Sequence, residues 1–290
     1  MELLLTRAII SGLMLGMVYA MIGVGMNIIY GVMKIVNFAY GDFLMLGAYF
    51  AYWLNTLLGW NPFISLLITV PVFFLIGVAI FYITVPRLLK SKEPELASYL
   101  AYFGVSLIIS TGALIAWGAE PRGIMPPFKV ASVKVGPFYL PTGRLITFIL
   151  CLITVLMLTY LLYRTYIGKA VRATIQNREA VQLLGVDVNK VSALSFGIGM
   201  SLAGIVGVLN TMVFPAIYPH MGVYYTVIAF TVIVLGGLGN PIAGIVGGLI
   251  LGLVESVSMS FLPAAFSLAI AFIILIIVIM IRPQGLMARS

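Results

Sequence analysis

Long charge-free apolar stretches decide what this chain can fold into. They cover Ala8–Met33, Phe43–Pro86, Leu96–Ala119, Leu145–Tyr163, Val191–Val254 and Ser256–Ile281. A helix needs about 20 apolar residues to cross the hydrocarbon core of a bilayer. Only helices and closed barrels satisfy their own backbone polar groups there. Phe43–Pro86 has room for two spans and breaks at Gly59-Trp60-Asn61-Pro62. Val191–Val254 breaks at Phe214–Tyr225 and again at Gly236-Gly237-Leu238-Gly239-Asn240-Pro241. If that last break lies inside one bent helix there are eight spans; if the chain turns there, nine segments. The expectation is an all-α integral membrane protein, a polytopic bundle forming one transmembrane domain over residues 1–290.

Composition agrees. Only 8% of the 290 residues are charged and 62% are hydrophobic, against about 25% charged in a soluble domain. The net charge of +8 sits in short loops between apolar runs, where it orients spans in a bilayer, so no nucleic-acid partner is expected. The one cysteine, Cys151, lies in an apolar run. It reads as a small packed hydrophobe, with neither a disulfide partner nor metal-ligand spacing. The apolar run Ala8–Met33 is too long for the core of a cleavable signal.

Three hydrophilic segments remain: Pro86–Glu95, Ala119–Arg144 (with Arg122, Lys129, Lys134 and Arg144) and Arg164–Lys190. One span separates each from the next, so they alternate sides. Arg164–Lys190 is rich in positive charge and belongs inside by the positive-inside rule. Ala119–Arg144, with Pro126-Pro127, Pro137 and Pro141, reads as an external cap. The N-terminus is then outside. The C-terminus is inside with nine segments and outside with eight.

Two spans carry small residues at every fourth position: Ser195, Gly199, Ala203, Gly207 and Thr211, then Gly244, Gly248, Gly252 and Ser256. Such rows let helix backbones approach closely in lipid. They pack the bundle, or one of them faces a second membrane subunit. Acids at membrane depth are few. Asp42 lies just after Asn37, which reads as the cap of the second span. Asp42 either pairs with Lys34 near the interface or lines a path with Asn37, Asn27 and Tyr30. Glu255 is either a pathway group or is hydrogen-bonded by Ser256 and Ser258.

Arg164–Lys190 reads RTYIGKAVRATIQNREAVQLLGVDVNK. Tyr166-Ile167-Gly168 breaks the preceding helix, and Ala170–Ile175 and Arg178–Leu184 read as two short amphipathic helices. Asn177 can cap the second, with Glu179 in its first turn. Gly185 ends it, and Asp187 can cap the following span. Val181, Leu183 and Leu184 form an apolar face outside the membrane, fit to dock a protein or rest on lipid headgroups.

Glu179-Ala180-Val181, three residues, then Gly185 resembles the EAA-x3-G cytoplasmic loop of ABC importer permeases. The stretch GKAVRATIQNREAVQLLGVDVNKVSALSFGIGMSLAGIVGVL is similar to the branched-chain amino-acid permeases in particular. So are VNFAYGDF, Leu235–Ser256 and the closing Arg282-Pro283-Gln284-Gly285-Leu286. Val181 departs from the alanine usual at the third position. The resemblance implies the first permease type of a heterodimeric pair, working with a second homologous permease, two ABC ATPase subunits and an extracytoplasmic solute-binding protein. It implies a multi-pass chain in a prokaryotic inner or plasma membrane, with no catalysis and no cofactor of its own, ATP and Mg being used by the partner ATPases. The loop 164–190, with Arg178, Glu179, Ala180, Val181, Leu183, Leu184 and Gly185, would couple those ATPases to the bundle. Urea and short-amide importers use similar permeases, and an ion-coupled secondary transporter or channel is the rival from another class. Protease and metal-hydrolase chemistries are excluded: the only histidine, His220, is in a loop, and no second membrane-level aspartate partners Asp42.

Overall fold

In the computed structural model of the chain, residues 2–125, 131–135, 138–214, 216–282 and 284–287 are described. Lys129, Pro126-Pro127, Pro137 and Pro283 therefore lie outside the described residues. Eleven helices and one hairpin follow in order: α1 Glu2–Met33, α2 Tyr40–Leu58, α3 Pro62–Leu88, α4 Pro94–Trp117, β1 Ser132–Val135, β2 Phe138–Pro141, α5 Thr142–Arg164, α6 Tyr166–Gln176, α7 Arg178–Leu183, α8 Val188–Val213, α9 Met221–Gly236, α10 Pro241–Phe261 and α11 Ala264–Ile281. Among the described residues six helices are long and apolar enough to cross a membrane: α1, α3, α4, α5, α8 and α10. The all-α polytopic architecture is thus present.

Local chemistry sets many of the boundaries. Asn61 and Asn240 each cap a helix, accepting the N–H of Phe63 and of Ile242. Each precedes a proline at the first helical position, where the missing N–H costs nothing. Gly59, with φ +66°, closes α2 in the left-handed region.

α1 and α8 form the buried centre, whereas α3, α4 and α5 leave most of their residues outside the packed interior. Their outward side chains are large and apolar, such as Leu67, Ile108, Ile115 and Met157, a surface that suits lipid rather than water. α8 lies against α1, α2 and α3. Both small-residue rows pack inside the chain. Gly244, Gly248 and Gly252 meet the α1 backbone at Gly23, Ala20 and Gly16; Gly199 meets Gly25 and Ile29 of α1, and Gly207 meets Leu44 and Ala48 of α2. Ser195 and Ala203 are fully buried on α8.

α9 and α10 fold back on one another. Gly236 faces Ala243 and Gly247 faces Val232, so they run antiparallel, joined at Gly237–Asn240. α10 runs through Glu255 to Phe261, which places Glu255 within a helix. The turn is held from two sides. Asn27 accepts the Gly239 N–H at 2.8 Å, and the chain end docks there through Leu286 N–H to Leu235 C=O and Met287 N–H to Gly236 C=O.

An ideal Cβ at residue 248 would lie 2.2 Å from the Ala20 nitrogen and 2.4 Å from its Cα. Backbone cannot yield as a side chain can. Gly248→Leu should lose at least the roughly 1–3 kcal/mol of ordinary overpacking, read as a lowered midpoint of thermal unfolding in detergent; an unchanged midpoint would mean that α1 and α10 are not in this contact.

Candidate functional site

The candidate path residues fall in three places. The first is the end of the bundle where α1 stops. Tyr30 donates its hydroxyl proton to Glu95 at 3.2 Å, and Asn27 is committed to the Gly239 turn. Lys34 has φ +54°, and its ammonium lies 5.1 Å from the Tyr30 ring centroid. It makes no pair with Asp42: the salt bridge found among the described residues joins Lys190 and Asp187. The pairing proposed for Lys34 fails because the chain after it runs away from the bundle end toward the interior.

That connector carries the second group. The Val36 N–H reaches the Ser98 hydroxyl in the second turn of α4, and Tyr49 stacks on Trp117 at its far end. Asp42 is therefore level with the middle of α4. Asn37 is not the helix cap; its side-chain oxygen takes the Ala39 N–H in the turn before α2, and its side-chain NH2 approaches the Met200 sulfur at 3.8 Å. α2 begins only at Tyr40, so Asp42 stands in the first turn, where the unfilled N–H groups and the macrodipole favour an anion. Asp42 is fully buried. Among the described residues no hydrogen-bond donor of ordinary geometry reaches either carboxyl oxygen, although Ser106 and His220 lie nearby. Gly222 of α9 makes room for it: a Cβ there would sit 2.2 Å from Asp42 Oδ1.

The third group surrounds Glu255, at the opposite end of the bundle from the α6–α7 elbow. Tyr19 donates to Glu255 Oε2 at 2.9 Å and Tyr224 to Oε1 at 3.3 Å. Of the two serines expected from sequence, Ser256 donates instead to the Ala8 carbonyl. Glu255 lines a cavity of about 180 Å3 that also includes Arg144, Thr147, Asn210 and Met259. No local signal in the sequence joins Tyr19, Arg144 and Tyr224 to Glu255.

Outside the bundle, Arg164–Lys190 folds as an elbow. The break after α5 falls at Thr165, one residue before the predicted position, and Thr165 caps α6 by accepting the Gly168 N–H. Gly168 is needed where α6 turns back, since a Cβ would strike the Leu161 and Leu162 carbonyls. Arg172 clamps the joint, donating to the Leu162 carbonyl and stacking on Tyr163. Asn177 caps α7 through the Ala180 N–H. Gly185, with φ +80°, turns the chain out, and Asp187 receives the N–H groups of Asn189 and Lys190 to begin α8. Those Lys190 bonds hold the Asp187 carboxyl below its ordinary range, and desolvation lowers Arg178. Glu179 and Ala180 face outward. Val181 is buried, but Leu183 and Leu184 are 88% and 82% exposed.

A lipid-facing helical bundle with interior acids and a braced apolar elbow outside it defines a multi-span integral membrane protein. Residues 8–279 match the model of a family described as the permease component of branched-chain amino acid transport systems, and the chain belongs to that family. It is 28% identical to the high-affinity branched-chain amino acid transport system permease protein BraD of Pseudomonas aeruginosa, over 98% of this chain and 95% of that one. It is 27% identical to the corresponding protein LivH of Escherichia coli, over 96% and 94%. A more distant likeness, 22% over 99% of this chain and 72% of the other, is to the permease protein LivM of Escherichia coli. No solved structure matches. The chain is a multi-pass integral protein of the plasma membrane and a transport subunit rather than an enzyme.

The Asp42 seat yields a test. Asp42→Asn keeps the shape and removes the charge; uptake should fall at least tenfold with expression and assembly retained. Gly222→Ala should reproduce the uptake loss by displacing the carboxyl. Full uptake in Asp42→Asn would remove Asp42 from the pathway.

Proposed function

We propose that this chain is one of two paired permeases in an ATP-driven importer that carries branched-chain amino acids delivered by an external solute-binding protein. The second permease, two ATPase subunits that use ATP and Mg, and the binding protein complete the assembly. The likeness to both LivH and LivM, each named a branched-chain amino acid permease, supports a pair of related permeases. Urea or short amides are the disfavoured cargo, since no relative named above carries them. Ion coupling is disfavoured because acids at membrane level are few, Asp42 and Glu255 alone, whereas ion-coupled transporters place several ionisable groups there.

The observation that carries the reading is α7. Leu183 and Leu184 stand almost fully in the open on a short helix of a charged loop, capped at both ends and braced through α6 onto α5. Two leucines held rigidly outside the bundle cover a partner's apolar groove. Arg178, Glu179 and Ala180 share that helix and Gly185 fixes its exit, so the segment suits transmission of the ATPase's motion. Nine membrane segments, with α2, α9 and α11 as the shorter ones, put this elbow and the C-terminus inside and the β1–β2 hairpin and N-terminus outside.

Burying a leucine is worth roughly 1.5–3 kcal/mol, so Leu183→Glu should weaken ATPase docking tenfold or more. At Gly185 a Cβ would meet nothing within 4 Å; Gly185→Val therefore acts through backbone strain alone, roughly 1–2 kcal/mol. Both variants should lose substrate-stimulated ATP hydrolysis and uptake in proteoliposomes. Normal co-purification with the ATPase and full stimulation in Leu183→Glu would reject the coupling role and leave α7 resting on lipid.

Sidedness has its own check. A cysteine replacing Gln182 should react with an impermeant maleimide only from the cytoplasm, and one replacing Tyr139 only from outside. The reverse pattern would invert the topology and end the docking proposal.

A further inference from the structure

The Glu255 cavity has a composition that packing does not explain. Its floor holds a carboxyl group with both oxygens accepting from tyrosine hydroxyls. Among the described residues no cation pairs with it. Thr147, 1% exposed, lines the same space with its hydroxyl unpartnered. Arg144, in the first turn of α5, lines the cavity from its exposed edge. Met14, Val18 and Met259 supply apolar wall between them. An acid, a base and an apolar wall around one space are what a small zwitterion with an aliphatic side chain requires. A cavity of about 150 Å3 accepts benzene, so one of about 180 Å3 is of a size for a free amino acid.

We propose that this cavity is a substrate site within the permease itself, in which Glu255, oriented by Tyr19 and Tyr224, receives the α-ammonium of a free amino acid and Arg144 receives its carboxylate. The inference rests on the importer reading above and deepens it: the chain then selects for the zwitterion and does not leave selection wholly to the binding protein. The ammonium supplies the cation that the buried carboxylate lacks. The Arg144 guanidinium presents a planar fork matched to a carboxylate. Thr147 offers a further hydrogen bond, and the apolar wall takes the side chain. An uncharged amide or urea leaves both charges unanswered, and an amine or acid alone answers one.

The test is equilibrium binding of radiolabelled L-leucine to the full-length chain in nanodiscs, competed by isoamylamine, 4-methylvalerate and urea. L-leucine should bind; the amine and the acid should compete at least tenfold more weakly, and urea should not compete. Glu255→Gln and Arg144→Gln should each weaken L-leucine at least tenfold. Tyr224→Phe should weaken it less and leave 4-methylvalerate unaffected. Arg144 is exposed, so its replacement leaves the fold intact if Glu255→Gln fails to fold. Absence of L-leucine binding to the wild-type chain, or unchanged binding in Arg144→Gln, overturns the site. If that happens while the complete transporter still imports leucine, the importer reading stands and the site alone falls. Saturable urea binding in place of leucine would reject the branched-chain cargo as well.

Discussion

The structure depends on backbone meeting backbone. In lipid, apolar side chains gain nothing by leaving one apolar surface for another, so helices associate through contact area and close approach. α1 and α10 achieve this with glycine on both sides: Gly12, Gly16 and Gly23 against Gly244, Gly248 and Gly252. α8 repeats the device toward α1 and α2. Small residues at every fourth position thus serve the inside of the chain, and the large apolar side chains are left for the rim. With α1 fixed between α8 and α10, the remaining helices have a wall to lean on, and the polar residues acquire definite depths.

One of those depths is made by a shortfall of helix. α1 ends at Met33 and α2 starts at Tyr40, and the extended stretch between them carries the chain inward beside α4. A helix that begins in the interior leaves its first N–H groups without intrahelical partners. Here Thr226 takes the Gly41 N–H, and Asp42 stands beside the positive end. An acid in an apolar run is therefore the first turn of a helix that starts late, not a surface residue two turns past a cap.

Much of this architecture is legible locally. Asn177, Gly185 and Asp187 act where their chemistry says, because capping involves neighbours two or three residues away. The Asn-Pro pairs do the same for α3 and α10. What the sequence hides is contact across the chain. Tyr19 is 236 residues from Glu255, and nothing in either segment marks the other. Lys34 and Asp42 look like partners because they are close in sequence, yet the connector between them separates their side chains. Glu255 looks as if its neighbours Ser256 and Ser258 would bond it; the hydroxyls that do so come from Tyr19 and Tyr224. The break at Thr165 was misplaced by one residue because Gly168, which looks like the breaker, provides the close approach of α6 to the end of α5.

The two interior acids are treated differently, and the difference carries physical content. An ionised carboxyl taken out of water must be repaid by hydrogen bonds or opposite charge. Glu255 has two donors, tyrosine hydroxyls whose rings also close the cavity floor, so a shape is prepared around it before any ligand arrives. Asp42 has a helix N-terminus and a space that only glycine at 222 can leave, but no donor of ordinary geometry. A leucine at either position would fill volume at less electrostatic cost. The bundle thus accepts two incompletely answered carboxyl groups, one beside a cavity and one packed against the start of α9. α9 touches both, through Tyr224 at Glu255 and Gly222 at Asp42, and its far end is the turn gripped by Asn27 and the chain terminus. Any tilt of α9 about that anchored turn therefore acts on both acids together, whereas α7 is braced separately on α5 through α6.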